Sequence, residues 1–226
     1  MTDQQTQARA MRPAHVATHH DDAKARIDSW WRLPTAAEAD KAARGALEVM
    51  PRSDGLIQFS VLRSPAEPTL FLQSLWTTAA ARDHYVHHVA SIPGAAIDER
   101  VAGIERDRSL TEIVGVVAHD DTVAQKWMTR RLPVTDDAGV HALVKQQTAR
   151  LRGGRTPGLV RATLGIGRDE DGNPIEVIVI EEWSDSTHSD VLAYEPFGAI
   201  APTTWRPDHV PPGALTDDLM LPQARP

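Results

Sequence analysis

The densest chemistry in this sequence is the run Arg82-Asp83-His84-Tyr85-Val86-His87-His88, which follows closely on Trp76. Read as a helix, it places His84, His87 and His88 on one face, because they are spaced i, i+3 and i+4, with Tyr85 beside them. A neutral imidazole with a pKa of about 6.5 could act as a general base and take the proton of an acidic ligand group, leaving an anion. Arg82 could hold that anion, and His88 could contact a bound substrate. The plain alternative is a solvated helix face. His84 and His88 also have the spacing of a zinc-binding pair, but no Glu lies between them to complete a metalloprotease pattern. The cluster His19-His20-Asp21-Asp22 lies in a polar stretch and reads as solvated.

These residues must be positioned by elements, and the elements occur twice. Leu70–Trp76 is an apolar run that ends on Trp76 and is followed by Thr77-Thr78 and an Ala-rich helical stretch. Val177–Trp183 ends the same way on Trp183, 107 positions later, followed by Ser184-Asp185. A Gly opens a strand upstream of each, Gly55 before Leu56–Arg63 and Gly158 before Leu159–Gly167. Further upstream, a Leu-Pro step leads into a helix at Leu33-Pro34-Thr35 and at Leu132-Pro133-Val134-Thr135. Four landmarks in the same order predict a duplicated unit.

The first unit reads β-α-β-β-α-β. Ala25–Leu33 is a strand, Thr35 and Glu38 form a capping box for a helix to about Val49, and Leu56–Arg63 pairs with Leu70–Trp76. A second helix, capped by Thr77 or Thr78, runs to about Ser91, where Pro93-Gly94 stops it, and Ser109–Val117 is the fourth strand. In the second unit Thr122–Leu132 is a strand, Thr135 caps a helix through about Leu151, Leu159–Gly167 pairs with Ile175–Trp183, and a short helix follows Asp185. Its fourth strand is not visible, with Leu219–Leu221 the nearest candidate. The predicted architecture is α+β: two tandem ferredoxin-like βαββαβ domains packed sheet to sheet. The boundaries are a disordered polar tail at 1–22, domains at 23–119 and 120–200, and a Pro-rich arm at 201–226.

Composition narrows the chemistry. The 226 residues include no Cys, which excludes disulfides, thiolate-held metals and thiol nucleophiles. A net charge of −7 with dispersed basic residues argues against a nucleic-acid surface. No long apolar run suggests a membrane span and no signal-peptide core precedes Asp22, so a cytoplasmic protein is expected. Trp30-Trp31 puts two indoles on opposite faces of one strand, one under the helices and one between the sheets, and either could stack on a flat ligand. Glu181 or Glu182 must point inward, with Arg161 as its candidate partner. Gly165-Ile166-Gly167 is no phosphate loop, because it lacks a third Gly and a following helix.

A strand ending in Trp, then Thr or Ser and a helix, twice in one chain, resembles the antibiotic biosynthesis monooxygenase superfamily of dimeric α/β barrels over about residues 25–117 and 122–200. The resemblance implies a small apolar pocket between sheet and helices in each unit, with Trp76 and Trp183 lining it. Members of that superfamily include cofactor-free oxygenases of polycyclic phenols, haem-degrading enzymes and polyketide cyclases. The haem-degrading members use an Asn on the first strand. Here the only Asn is Asn173, in a turn, and Asp28 or Ser29 is the nearest polar substitute on that strand.

The expectation is therefore a monooxygenase that uses O2 and no cofactor on a polycyclic phenolic or aromatic polyketide intermediate. Trp76, His84 and Arg82 would be catalytic, and Trp30, Trp31, Tyr85, His88 and Trp183 would bind the small aromatic substrate. A non-redox cyclase and a non-catalytic ligand-binding or scaffold protein are the alternatives. No metal, nucleic acid or membrane partner is expected, and a homodimer is left open.

Overall fold

Gly55 and Gly158, the two glycines that open strands, both adopt positive φ, 82° and 83°. That backbone is costly for any residue with a Cβ, so the same turn recurs at the same place in each half for the same reason. The computed structural model describes residues 11–153, 156–169, 171–184 and 193–202.

After β1 (Met11–Ala14), the first half comprises β2 (Ala25–Arg32), α1 (Ala36–Val49), β3 (Leu56–Arg63), β4 (Thr69–Trp76), α2 (Ala79–His88), α3 (Ser91–Asp98) and β5 (Glu105–Ala118). The second comprises β6 (Lys126–Pro133), α4 (Asp137–Arg152), β7 (Leu159–Arg168), β8 (Pro174–Trp183) and β9 (Ala193–Pro202). The strands form one antiparallel sheet in the order β1-β9-β3-β4-β2-β5-β7-β8-β6, and β9 also pairs with β6. The first half contributes the run β3-β4-β2-β5 and the second the run β7-β8-β6-β9, which is the same internal order. The halves join at β5–β7 and β9–β3, so one chain closes its own barrel. Closure removes every long sheet edge.

Local chemistry starts the helices as expected in the first half. Thr35 accepts from the Glu38 N–H at 3.2 Å and Thr78 from the Ala81 N–H at 3.1 Å. Four expectations are corrected. Pro93-Gly94 does not stop a helix; Pro93 is in the first turn of α3, where its missing N–H costs nothing. Asp136, not Thr135, caps α4, accepting from Gly139 N–H at 2.7 Å. The fourth strand of the second half is β9, not Leu219–Leu221. Residues 11–22, expected in a disordered tail, form β1 against β9 and a strap in which Val16 and Thr18 are buried. The helix expected after Asp185 and the arm beyond residue 202 lie outside the described residues.

The barrel interior is filled with polar as well as apolar groups. Arg26 and Asp28 are fully buried and paired at 2.7 Å; Asp28 also accepts from Gln73 and Thr111, each at 2.9 Å, and Arg26 donates to Thr163 at 2.9 Å. A Cβ at Gly165 would collide with Thr111 and Arg26, and one at Gly167 with Ser109 and Glu176. The Gly-Ile-Gly stretch thus makes room for this network. Around the central packing of Leu62, Phe71, Trp127, Ile178 and Ile180, the strap closes one end, where Thr18 donates to Glu182. Burial raises the Glu182 pKa, against the opposing charge of Arg161 at 3.4 Å.

Burial lowers the pKa of His15 and His19 in the strap. Their lowered folded values give stability that is present above the ordinary His pKa of about 6.5 and is lost as pH falls towards the folded values. Glu182, with its raised pKa, works in the opposite sense. The protection of the amides of residues 14–19, measured against their intrinsic exchange rates, is expected to fall between pH 7 and pH 5. The His15→Gln/His19→Gln double variant should lose that component.

Candidate functional site

In the first half the helices do not press flat on the sheet. A cavity of about 350 Å³ remains between β2, β3, β4 and β5 on one side and α1, α2 and α3 on the other. That volume is at the small end of the range for small-molecule sites. Its walls are mainly apolar, with Ile27, Leu72, Phe59, Met50 and Ile97 among them. The polar groups reaching it are Ser29, Ser74, Tyr85, Arg106 and Arg108.

Strand alternation decides which residues face it. On β2, Ile27, Ser29 and Trp31 point to the helices, while Arg26, Asp28 and Trp30 point into the barrel. Trp31 is a cavity wall; its Nε1 donates to Ser29 Oγ at 2.9 Å, and the Arg106 guanidinium lies 4.6 Å over its ring. Arg106 is in turn held by Asp98 at 2.6 Å. Trp30 instead packs on Phe71 at 5.3 Å, donates to Thr129 at 3.2 Å and lies under Arg131 at 4.4 Å. It is therefore a barrel-core residue, and the cavity is closed to it.

Trp76 is fully buried behind the cavity. Its Nε1 donates to Ser74 Oγ at 2.7 Å and its ring packs on Tyr85 at 5.1 Å. Because Ser74 accepts from Trp76, its own O–H proton is left to point elsewhere, and Ser74 lines the cavity. Tyr85 lines it too. Its hydroxyl lies 3.5 Å from Met50 Sδ, a weak thioether acceptor on the same wall that a ligand oxygen would displace, and burial pushes its pKa up to about 12, opposed by the charge of Arg108. Ser74 and Tyr85 are thus two neutral donors in an apolar chamber.

Helical phase separates the run that follows Trp76. Arg82 and Tyr85 turn inward, whereas His84, His87 and His88 are exposed, the rings of His84 and His88 lying 4.8 Å apart. The expectation that His84 and His88 share the site with Tyr85 is corrected: with Thr78 at the N-cap, the apolar side of α2 is presented by Arg82, Tyr85 and Val86. Arg82 does not line the cavity either. It is buried, donates to the Thr111 carbonyl at 2.9 Å and pairs with Asp83 at 2.8 Å, pinning α2 to β5. Among the described residues no three His, Cys, Asp or Glu gather to hold a metal ion.

The second half departs from this plan at matching positions. Trp76 faces Ala25 and Leu56 across the sheet, and Trp183 faces Lys126 and Leu159. Counting back from those pairs, Ser74 corresponds to Glu181 and Ser29 to Arg130. Glu181 is buried beside Arg150 at 2.5 Å and Arg130 at 3.6 Å. An ion triad thus occupies positions that carry small hydroxyls in the first half, and Trp183 packs in an apolar cluster with Met128, Leu151 and Leu159. Tyr194 and Glu195, at the chain offset from Trp183 that His87 and His88 have from Trp76, are on β9 and not on a helix.

Of the residues singled out from sequence, Trp31, Tyr85 and Ser29 line the cavity and Trp76 lies behind it. It missed Ser74, Arg106 and Arg108. The available signal was spacing: Ser74 is two residues before Trp76, on the same strand face.

No protein-family model and no curated protein matches this sequence. Among solved structures the chain is similar to an anthrone oxidase-like protein, with a TM-score of 0.59 and 10% identity over 88% of this chain and 99% of that one. It is also similar to a protein from Fusobacterium nucleatum provisionally described as a monooxygenase, with a TM-score of 0.50 and 10% identity over 80% of this chain and 95% of that one. At such identities the likeness is one of fold. The fold is that of the dimeric α/β-barrel type, in line with the resemblance carried by Trp76 and Trp183. No helix among the described residues is long and apolar enough to cross a membrane.

Proposed function

We propose that the first unit, residues 23–119, holds a cofactor-independent monooxygenase site for a polycyclic phenolic or aromatic polyketide intermediate, and that the second unit, 120–200, completes the barrel on whose outer face that site lies. The observation that carries this reading is the apolar cavity into which Ser74 and Tyr85 aim neutral hydroxyl donors. The name of the similar anthrone oxidase-like protein agrees with it.

An ionised anthrone or phenol carries its charge on oxygen and on the ring carbon that reacts. Hydroxyls placed at that oxygen stabilise the anion, and in a dry cavity such donors act more strongly than in water. The electron-rich carbon gives an electron to O2, the two radicals combine, and the adduct loses water. For an anthrone, the methylene carbon gains one oxygen atom as a carbonyl; the other leaves as water with both hydrogens, so the substrate itself is the reductant. Trp76 is a positioning residue here, because it orients Ser74. No carboxylate or imidazole is among the described lining residues, so the proton departs from an acidic substrate to solvent.

Oxygen uptake with an anthrone and metal-stripped protein tests the reading. Tyr85→Phe should lower the rate by about a hundredfold, the usual loss of one well-placed oxyanion donor. Trp76→Phe should lower it by about tenfold, the effect of freeing the Ser74 rotor. His84→Ala should change nothing. The rate should climb with pH along the ionisation of the substrate, with no inflection near the ordinary His pKa. The missing base favours one second reading, a cavity that binds an aromatic ligand without oxidising it. Uptake no faster than the spontaneous reaction would decide for that reading.

A further inference from the structure

The arginines at the cavity rim differ in one respect. Arg106 is committed: it stacks on Trp31 and is paired with Asp98. Arg108 is two residues further along the same face of β5, opposite Ser29 in register, and no carboxylate pairs with it among the described residues. The described lining contains no Asp or Glu at all. Arg108 is exposed to solvent at the rim, so the mouth of the chamber carries one positive charge with no carboxylate partner among the described residues.

We infer that the cavity selects a planar aromatic that bears one carboxylate, bound at Arg108, with a phenol or carbonyl oxygen of the same molecule reaching Ser74 and Tyr85. This rests on the reading of the cavity as a substrate site and adds the chemical class it prefers. The flat part of the ligand lies against the Trp31 indole, where a ring gains contact beyond simple burial. A neutral ligand would strip water from Arg108 and return nothing, whereas a carboxylate forms a charge-assisted, two-pronged hydrogen bond with the guanidinium. The second polar anchor is built separately: Ser74, oriented by Trp76, and Tyr85, kept protonated by its burial, donate to oxygen and offer no charge of their own. A molecule with one acidic group and one acceptor oxygen on a fused-ring frame meets both anchors at once. Strand spacing puts β4, with Ser74, and β5, with Arg108, about 10 Å apart across β2, the span of two to three fused rings.

The test is calorimetric binding of a dihydroxyanthraquinone carboxylate and of its hydroxymethyl analogue, which differ only in the charged group. Both already carry the oxidised carbonyl, so neither consumes O2 and the result does not depend on turnover. The wild type should bind the carboxylate about tenfold more tightly, the scale of one charge-assisted bond at a half-open rim. Arg108→Gln should shrink that gap to about twofold, with Arg108→Lys in between, and added salt should narrow it in the wild type. Equal affinity for the two ligands, binding of neither, or a gap that survives Arg108→Gln would overturn the assignment. A gap lost in Arg106→Gln but kept in Arg108→Gln would move the anion to the other arginine and overturn it as well. An intact preference in a protein without anthrone-dependent oxygen uptake would remove the monooxygenase reading and leave this subsite standing.

Discussion

Gly94→Trp is expected to close the cavity of the first half and to abolish ligand binding there without unfolding the protein. Ala90 at the N-cap of α3 and Pro93, Gly94 and Ile97 within it form a cavity-facing stripe, at the i, i+3, i+4 and i+7 spacing of one helix face. A Cβ at Gly94 would meet no heavy atom within 4 Å, so a large side chain can grow from it into open space. An indole there competes for the Trp31 wall and for the space above Ser74. Displacing a bound aromatic by an ångström or so costs about a hundredfold in rate, and exclusion costs more. Stability should not fall, because a helical glycine is about 0.5–1 kcal/mol worse than alanine. Binding of the anthraquinone pair and anthrone-dependent oxygen uptake should both drop by at least about a hundredfold, with an unchanged or raised melting temperature. Gly94→Ala should keep both activities. Undiminished binding in the Trp variant would show that the ligand enters elsewhere.

Asp28→Ala should be among the most damaging single substitutions for stability, at about 3–5 kcal/mol, the usual cost of breaking a buried ion pair by removing one partner. Asp28 accepts from three side chains, Arg26, Gln73 and Thr111, which reach it from β2, β4 and β5. Without it, a fully buried guanidinium is left with Thr163 as its side-chain partner among the described residues, and two further donors lose their acceptor. The Arg26→Met/Asp28→Leu pair should cost much less than the sum of its parts, because it removes the stranded charge along with the bond. Urea unfolding of the single and double variants measures the difference. A loss under about 1 kcal/mol in Asp28→Ala would mean that water reaches the barrel interior and takes over the network. Asp28 thus serves the barrel, while Ser29, its neighbour in sequence, serves the cavity. One peptide step on a strand separates the two.

The second half keeps the barrel plan and changes the residues that line the cavity of the first. At the matching positions a buried Glu181 is paired with two half-exposed arginines, Arg130 and Arg150, where the first half has small hydroxyls. The two halves share a backbone plan and differ in the side chains that occupy it. The shared part is the barrel; the divergent part is the chemistry.

What the sequence determined by itself was local. Thr35 and Thr78 at helix starts, Gly55 and Gly158 at positive φ, the strand-ending Trp76 and Trp183 and the opposed faces of Trp30 and Trp31 each follow from rules acting over a few residues. Tertiary structure decided the rest. Ala193–Pro202 contains two Pro and a Gly and no clean alternation; it becomes β9 because β3 and β6 each need a partner to close the barrel. Both faces of β3 are largely buried although Gln58 and Ser60 suggest a wet side, since barrel closure covers the inner face with other strands and a bulge after Leu56 shifts the alternation. The three His of α2 share a face as their spacing requires, but which face meets the sheet is set by the packing of Tyr85 on Trp76. Ser29, Ser74 and Arg108 are far apart in sequence and share one chamber only because β4, β2 and β5 are neighbours. Spacing along a chain places side chains on a face; only the neighbours that cover that face decide whether it becomes core, solvent or site.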